Sequence, residues 1–70
     1  MMGIVNWFDE KKGYGFIKVE GLEHDVFVHY SEIKTDEFKS LKENDVVTFD
    51  YDNEKKRALN VRVQMNEENV

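Results

Sequence analysis

The chain has 70 residues, of which 40% are hydrophobic and 36% charged, and a formal net charge of −5 from 10 basic and 15 acidic residues. That length holds one domain with a small core, and the balance is too apolar for a disordered chain and too polar for a membrane span. Cysteine is absent, which excludes disulfides, thiolate chemistry and thiolate-bound zinc.

Period-2 alternation dominates the pattern. A first strand is predicted from Gly3 to Asp9, and the charged turn Asp9-Glu10-Lys11-Lys12-Gly13 follows, with Gly13 free to take a positive φ. A second strand runs from Tyr14 to Glu20, and Gly21 to His24 connects it to a third, Asp25 to Tyr30. Ser31 is placed to cap a single helical or 3₁₀ turn. Residues 34 to 44 read as a long polar loop carrying Phe38 and Leu41. A fourth strand, Asp45 to Asp52, leads through a turn to a fifth, Arg57 to Gln64. Residues 66–70 are acidic and unpatterned, so a single domain is expected over residues 1–65 with a frayed tail behind it. No segment shows helical periodicity for three turns. Five short strands without a long helix predict an all-β barrel or sandwich, and closure into a barrel also removes exposed edges. The start, Met1-Met2-Gly3-Ile4, carries neither a basic n-region nor an apolar h-region, so a cytoplasmic protein without membrane attachment is expected.

Alternation divides each strand into two faces. Gly15, Ile17 and Val19 share one face of the second strand, and Val26 and Val28 one face of the third. Joined by Val47, Phe49, Leu59, Val61 and Val63, they make the expected core. The opposite faces hold Tyr14, Phe16 and Lys18, and Asp25, Phe27 and His29. A face mixing charge with three rings belongs in water, so Tyr14, Phe16 and Phe27 are expected together at the surface of adjacent strands. Two readings of that face stand. One is a minor core lidded by the long loop through Phe38. The other is a stacking platform for single-stranded nucleic acid, since every base offers a π-face and lysines at the rim supply phosphate contacts. The acidic net charge opposes a polyanion, but charge is segregated: residues 53 to 64 hold Lys55, Lys56, Arg57 and Arg62 against Glu54 alone.

Other chemistry finds little support. Trp7 is read equally well as core or surface, because a bulge between Gly3 and Phe8 would switch its face. His24 and His29 with Asp25 and Glu32 match no zinc spacing, so no metal or other cofactor is expected. No hydroxyl residue sits in a nucleophile motif and no glycine-rich phosphate loop is present, so the chain is not read as an enzyme. A protein-interaction barrel that receives a peptide is the rival from another class. It would not need His29, Lys12 and Lys18 interleaved with rings.

Lys12-Gly13-Tyr14-Gly15-Phe16-Ile17 resembles the RNP1-type motif of bacterial cold-shock proteins, and Val26-Phe27-Val28-His29-Tyr30 resembles their RNP2-type motif. The first of these also fits the RNA-recognition-motif signature, but that fold needs two helices that no segment here supplies. The likeness to cold-shock proteins extends over residues 3 to 63, from the opening Val5-Asn6-Trp7-Phe8 to Ala58–Val61. It implies a five-stranded antiparallel OB-like β-barrel that binds single-stranded RNA and DNA with a modest preference for pyrimidine-rich runs, and a monomer is expected. It also implies RNA-chaperone activity with effects on transcription and translation. Carried over by position, Trp7, Phe16, Phe27, His29, Tyr30 and Phe38 are the main stacking residues. Tyr14 and Phe8 complete the aromatic patch, and Lys12 and Asp25 are polar contacts. This chain departs from the pattern at Asn6, where the family has Lys. Its turn before the last strand is shorter and lacks Gly and Pro, and Arg57 stands there, suited to stacking or phosphate. Leu59 replaces a small residue and is expected to fill core volume.

Overall fold

The computed structural model describes residues 1–34 and 41–64. Its strands are β1 (Met2–Asp9), β2 (Tyr14–Lys18), β3 (Val26–His29), β4 (Val46–Asp52) and β5 (Arg57–Val63), with one 3₁₀ turn over Tyr30–Glu32. They close into a barrel in the order β1-β2-β3-β5-β4. The predicted all-β barrel is therefore the observed architecture, with strand ends within two residues of expectation. One joint differs from an all-antiparallel barrel: β3 meets β5 in parallel, at Phe27 and Arg57. The chain leaves β3 through the 3₁₀ turn and reaches β4, which pairs with β1. β5 is then the strand that fills the remaining gap.

The core holds Val5, Ile17, Val26, Val28, Val47 and Val61, all fully buried, with Phe49 and Ala58. Burying a side chain such as Ile17 contributes about 1.5–3 kcal/mol. Two residues from the connection after β3 join them. Ile33 is buried and bridges to Val61, where Lys34 N donates to Val61 O at 2.7 Å, and Leu41 is 4% exposed. The expected frayed tail, residues 66–70, lies outside the described residues.

Two bulges correct the simple alternation. In β1, Val5 pairs with Ile17 and Trp7 with Phe16, so Asn6 is an extra residue. Val5 thus faces inward while Trp7 joins the outer face. In β5, Arg62 pairs with Thr48 and Leu59 with Asp50, so Asn60 and Val61 together oppose Phe49. Asn60 takes a left-handed backbone with φ 54°, a conformation Asn tolerates. The bulge shifts the inward position from Leu59 to Ala58, which is fully buried. Leu59, expected in the core, is only half-buried on the outer side of the strand, and Val63 packs at the core margin.

Two hairpin turns share one design. Asp9 Oδ1 accepts from Lys11 N and Lys12 N, and Asp9 O from Gly13 N. Asp52 Oδ1 likewise accepts from Glu54 N and Lys55 N, and Asp52 O from Lys56 N. Each turn ends on a left-handed residue, Gly13 at φ 79° and Lys56 at φ 57°. β1 and β4 are antiparallel, so the two turns lie at opposite ends of the barrel.

Candidate nucleic-acid interface

The register places one row of side chains across four strands. Trp7 of β1 pairs with Phe16 of β2, Phe16 with Phe27 of β3, and Phe27 with Arg57 of β5. A second row, Asp9-Tyr14-His29, runs beside it. The bulge at Asn6 makes the first row possible by turning Trp7 outward. Gly15 makes the close approach of β1 and β2 possible. A Cβ there would collide with the Trp7 carbonyl oxygen and sit 2.7 Å from Phe8 Cα.

The rings touch along both rows. Centroid separations are 5.3 Å for Trp7–Phe16, 5.8 Å for Phe16–Phe27, 5.6 Å for Tyr14–Phe27 and 6.0 Å for Trp7–Tyr14. All four pairs are tilted or edge-on, the arrangement that aromatic quadrupoles favour. Trp7 is 40% exposed and Tyr30 47%, while Tyr14, Phe16, Phe27 and His29 are half-buried. Tyr30 enters from the 3₁₀ turn. Its N–H donates to Gly13 O at 2.8 Å, its ring lies over Gly13 where a Cβ would come within 2.9 Å, and it sits 4.7 Å from the His29 ring.

Polar groups frame the rings. His29 Nδ1 accepts the Ser31 backbone N–H at 3.3 Å and lies 2.9 Å from Ser31 Oγ. In the neutral ring that leaves the proton on Nε2, as a donor. Lys12 is exposed on the first turn and Lys18 at the end of β2. Arg57 Nε lies 3.6 Å from Asp52 Oδ2 and is buried without a hydrogen bond, so the carboxylate holds the guanidinium at the end of the aromatic row by charge. Asp25 is half-buried and accepts from Asn6 Nδ2 at 2.8 Å.

Of the residues expected at the site, Trp7, Tyr14, Phe16, Phe27, His29 and Tyr30 come together, with Lys12, Asp25 and Arg57 around them. Phe8 does not join them. It pairs with Gly15 and packs against the aliphatic core, on the side of β1 opposite Trp7. Phe38 lies outside the described residues. Asn6, read only as a missing lysine, proves to be the bulge residue that reaches Asp25 across β2. The unresolved alternation between Val5 and Phe8 was the signal for it. Among the described residues, no three His, Asp or Glu side chains are grouped to hold a metal ion, and no helix is long and apolar enough to cross a membrane.

Comparison with known proteins agrees with this geometry. Residues 1–65 match the family model described as the 'Cold-shock' DNA-binding domain. A cold shock-like protein of Thermotoga maritima is 54% identical over 66 residues, covering 90% of this chain and 97% of that protein. The major cold shock protein CspA of Bacillus cereus is 58% identical over 48 residues, covering 69% of this chain and 70% of that protein. A solved structure of drosophila Unr CSD456 superposes with a TM-score of 0.76 over 99% of this chain and 28% of that one. At 20% identity that likeness concerns the fold alone. With an outer aromatic face on a closed barrel, and a family match over residues 1–65, the chain belongs to the cold-shock domain family, whose members are nucleic-acid-binding proteins and not enzymes.

Proposed function

We propose that the protein binds single-stranded RNA and DNA by stacking bases on the Trp7-Phe16-Phe27 row and the adjoining Tyr14, His29 and Tyr30. The observation that carries this reading is the row itself: contiguous rings on the outer side of strands whose inner side is the aliphatic core. A duplex hides its base faces, so only unpaired strands gain the roughly 1–3 kcal/mol per base that aromatic stacking supplies. Stacking is tolerant of sequence, and a preference for pyrimidine-rich runs follows from the family resemblance. By holding unpaired segments transiently, the protein acts as an RNA chaperone that prevents or melts RNA secondary structure, with effects on transcription and translation. It works as a monomer in the cytoplasm. Phe38 belongs to the same site by resemblance.

Trp7 is the only tryptophan and reports on the row directly. Titration with oligo(dT) is expected to quench its fluorescence saturably. The matched duplex should bind far more weakly. Equal affinity for duplex and separated strands would rule the stacking reading out.

A further inference from the structure

Leu59 is the apolar side chain of β5 that the barrel interior does not use. Ala58 and Val61 are fully buried and Val63 packs at the core margin. Leu59 is half-buried on the outer side and, among the described residues, does not pack against the core. Pairing fixes its place there. β3 and β5 run parallel from the Phe27–Arg57 pair, and the β5 bulge begins only after Leu59. Two residues on from that pair, side chains return to the same face, so Leu59 follows Arg57 as His29 follows Phe27. The row Asp9-Tyr14-His29 therefore ends on Leu59, as the first row ends on Arg57. The 3₁₀ turn comes to the same spot: Glu32 Oε1 accepts from Asn60 N, one residue from Leu59, at 3.2 Å, and Ile33 bridges to Val61. Beyond Leu59 lies its pairing partner in β4, the exposed Asp50, whose carboxylate accepts from Asn60 Nδ2 at 3.1 Å.

A branched aliphatic chain offers no π-face, so Leu59 does not extend the stacking itself. What it offers is apolar surface at the rim of a base stacked on His29. Base edges are lined mostly with hydrogen-bonding groups, and burying those against leucine costs free energy. The C5-methyl of thymine is the exception, an apolar group that suits apolar side chains. Uracil presents a bare C5–H there, with less surface to bury. We propose that Leu59 receives the C5-methyl of the base stacked on His29 and so selects thymine over uracil at one position of the platform. The proposal rests on the aromatic face being the nucleic-acid interface. Leu59 differs in kind from the ring residues, because removing it changes the discrimination between two bases and leaves the stacking surfaces in place.

The test is Trp7 fluorescence titration with oligo(dT), oligo(dU) and oligo(rU) of one length. The first two differ only in the methyl, the last two only in the sugar hydroxyl. The unaltered protein should bind oligo(dT) more tightly than oligo(dU), and Leu59→Ala should cut that ratio by roughly three- to fourfold, the worth of one buried carbon group. Leu59→Gln keeps the length but ends in an amide and should cut it likewise, whereas Leu59→Met should keep most of it. A merely structural role would lower affinity for both oligonucleotides together and leave the ratio where it was. Equal affinity for oligo(dT) and oligo(dU) in the unaltered protein overturns the proposal with no variant needed, and the platform stands. A ratio unchanged in Leu59→Ala and Leu59→Gln also overturns it, because the methyl is then read elsewhere. If the variants instead move the ratio of oligo(dU) to oligo(rU), Leu59 lies against the sugar and the assignment is wrong. If no oligonucleotide quenches Trp7, the platform and the proposal fall together.

Discussion

Phe16 and Ile17 are neighbours in the chain and opposites in the fold. Ile17 is fully buried, whereas Phe16 is half-buried among rings. Phe16→Ala and Phe27→Ala should each weaken oligo(dT) binding by roughly 1–3 kcal/mol, because each removes one stacking surface. Their folding cost should stay below the ~2–5 kcal/mol of a core truncation such as Ile17→Ala. Urea midpoints and affinities for the three variants check this. Phenylalanine variants as unstable as the Ile17 variant would make the rings a second core. The same residue scale shows how an acidic chain can host such a site. Asp9 faces inward to its own turn, where its carboxylate is committed to two backbone N–H groups, while the lysines that follow it point their charge to solvent.

At the scale of the element, alternation decides most positions and bulges decide the rest. β2 and β3 alternate without interruption, so Ile17, Val26 and Val28 were legible as core and Tyr14, Phe16 and Phe27 as the outer face. β1 and β5 each carry a bulge, and there the pattern misleads. Leu59 looks apolar enough for the core, yet Asn60 in its left-handed conformation turns Ala58 inward instead. A tertiary pairing of two residues against one leaves no mark on composition. Ile33 was missed for a related reason: it lies in a connection, and only its bridge to Val61 buries it. The expected contrast is that Leu59→Ala costs less than about 1.5 kcal/mol while Ile33→Ala costs ~2–5 kcal/mol, measured by denaturant titration. The paired turns give a further test. Lys56 occupies the left-handed position that Gly13 fills in the equivalent turn, at a cost of roughly 1–2 kcal/mol for a residue with a Cβ. Part of that is offset by the ~0.5–1 kcal/mol greater entropy loss of glycine. Lys56→Gly should therefore stabilise by up to about 1.5 kcal/mol, and Gly13→Ala should destabilise by more than the backbone cost alone, because its Cβ meets the Tyr30 ring. A rise in thermal midpoint for the first and a fall for the second is the expected pair of outcomes.

On the scale of the whole molecule, a protein of net charge −5 that binds a polyanion must gain its affinity largely from something other than charge. The cations available to phosphate lie on the two turns, Lys11 and Lys12 on the first and Lys55, Lys56 and Arg57 at the second, with Lys18 at the end of β2 away from the first turn. Each turn carries its own acids. Asp9 and Glu10 balance the first pair of lysines, and Asp52 and Glu54 leave the second turn only slightly positive. Each phosphate neutralised on a single strand contributes about −0.7 to the slope of log K against log salt. With two or three neutralised, the slope should lie near −1.4 to −2.1. Salt also screens the repulsion from the acidic surface, so the measured magnitude should fall at or below that range. Stacking is not screened, and binding should persist at moderate salt. Affinity for oligo(dT) across a salt series, with Lys12→Gln and Phe27→Ala in parallel, separates the two contributions. Lys12→Gln is expected to flatten the slope, because it removes a phosphate partner and leaves the rings in place. Phe27→Ala is expected to lower affinity at every salt concentration with the slope nearly unchanged, because the cations on the turns do not depend on that ring. A steep slope that Phe27→Ala also flattened would mean that charge holds the strand and the rings only position it.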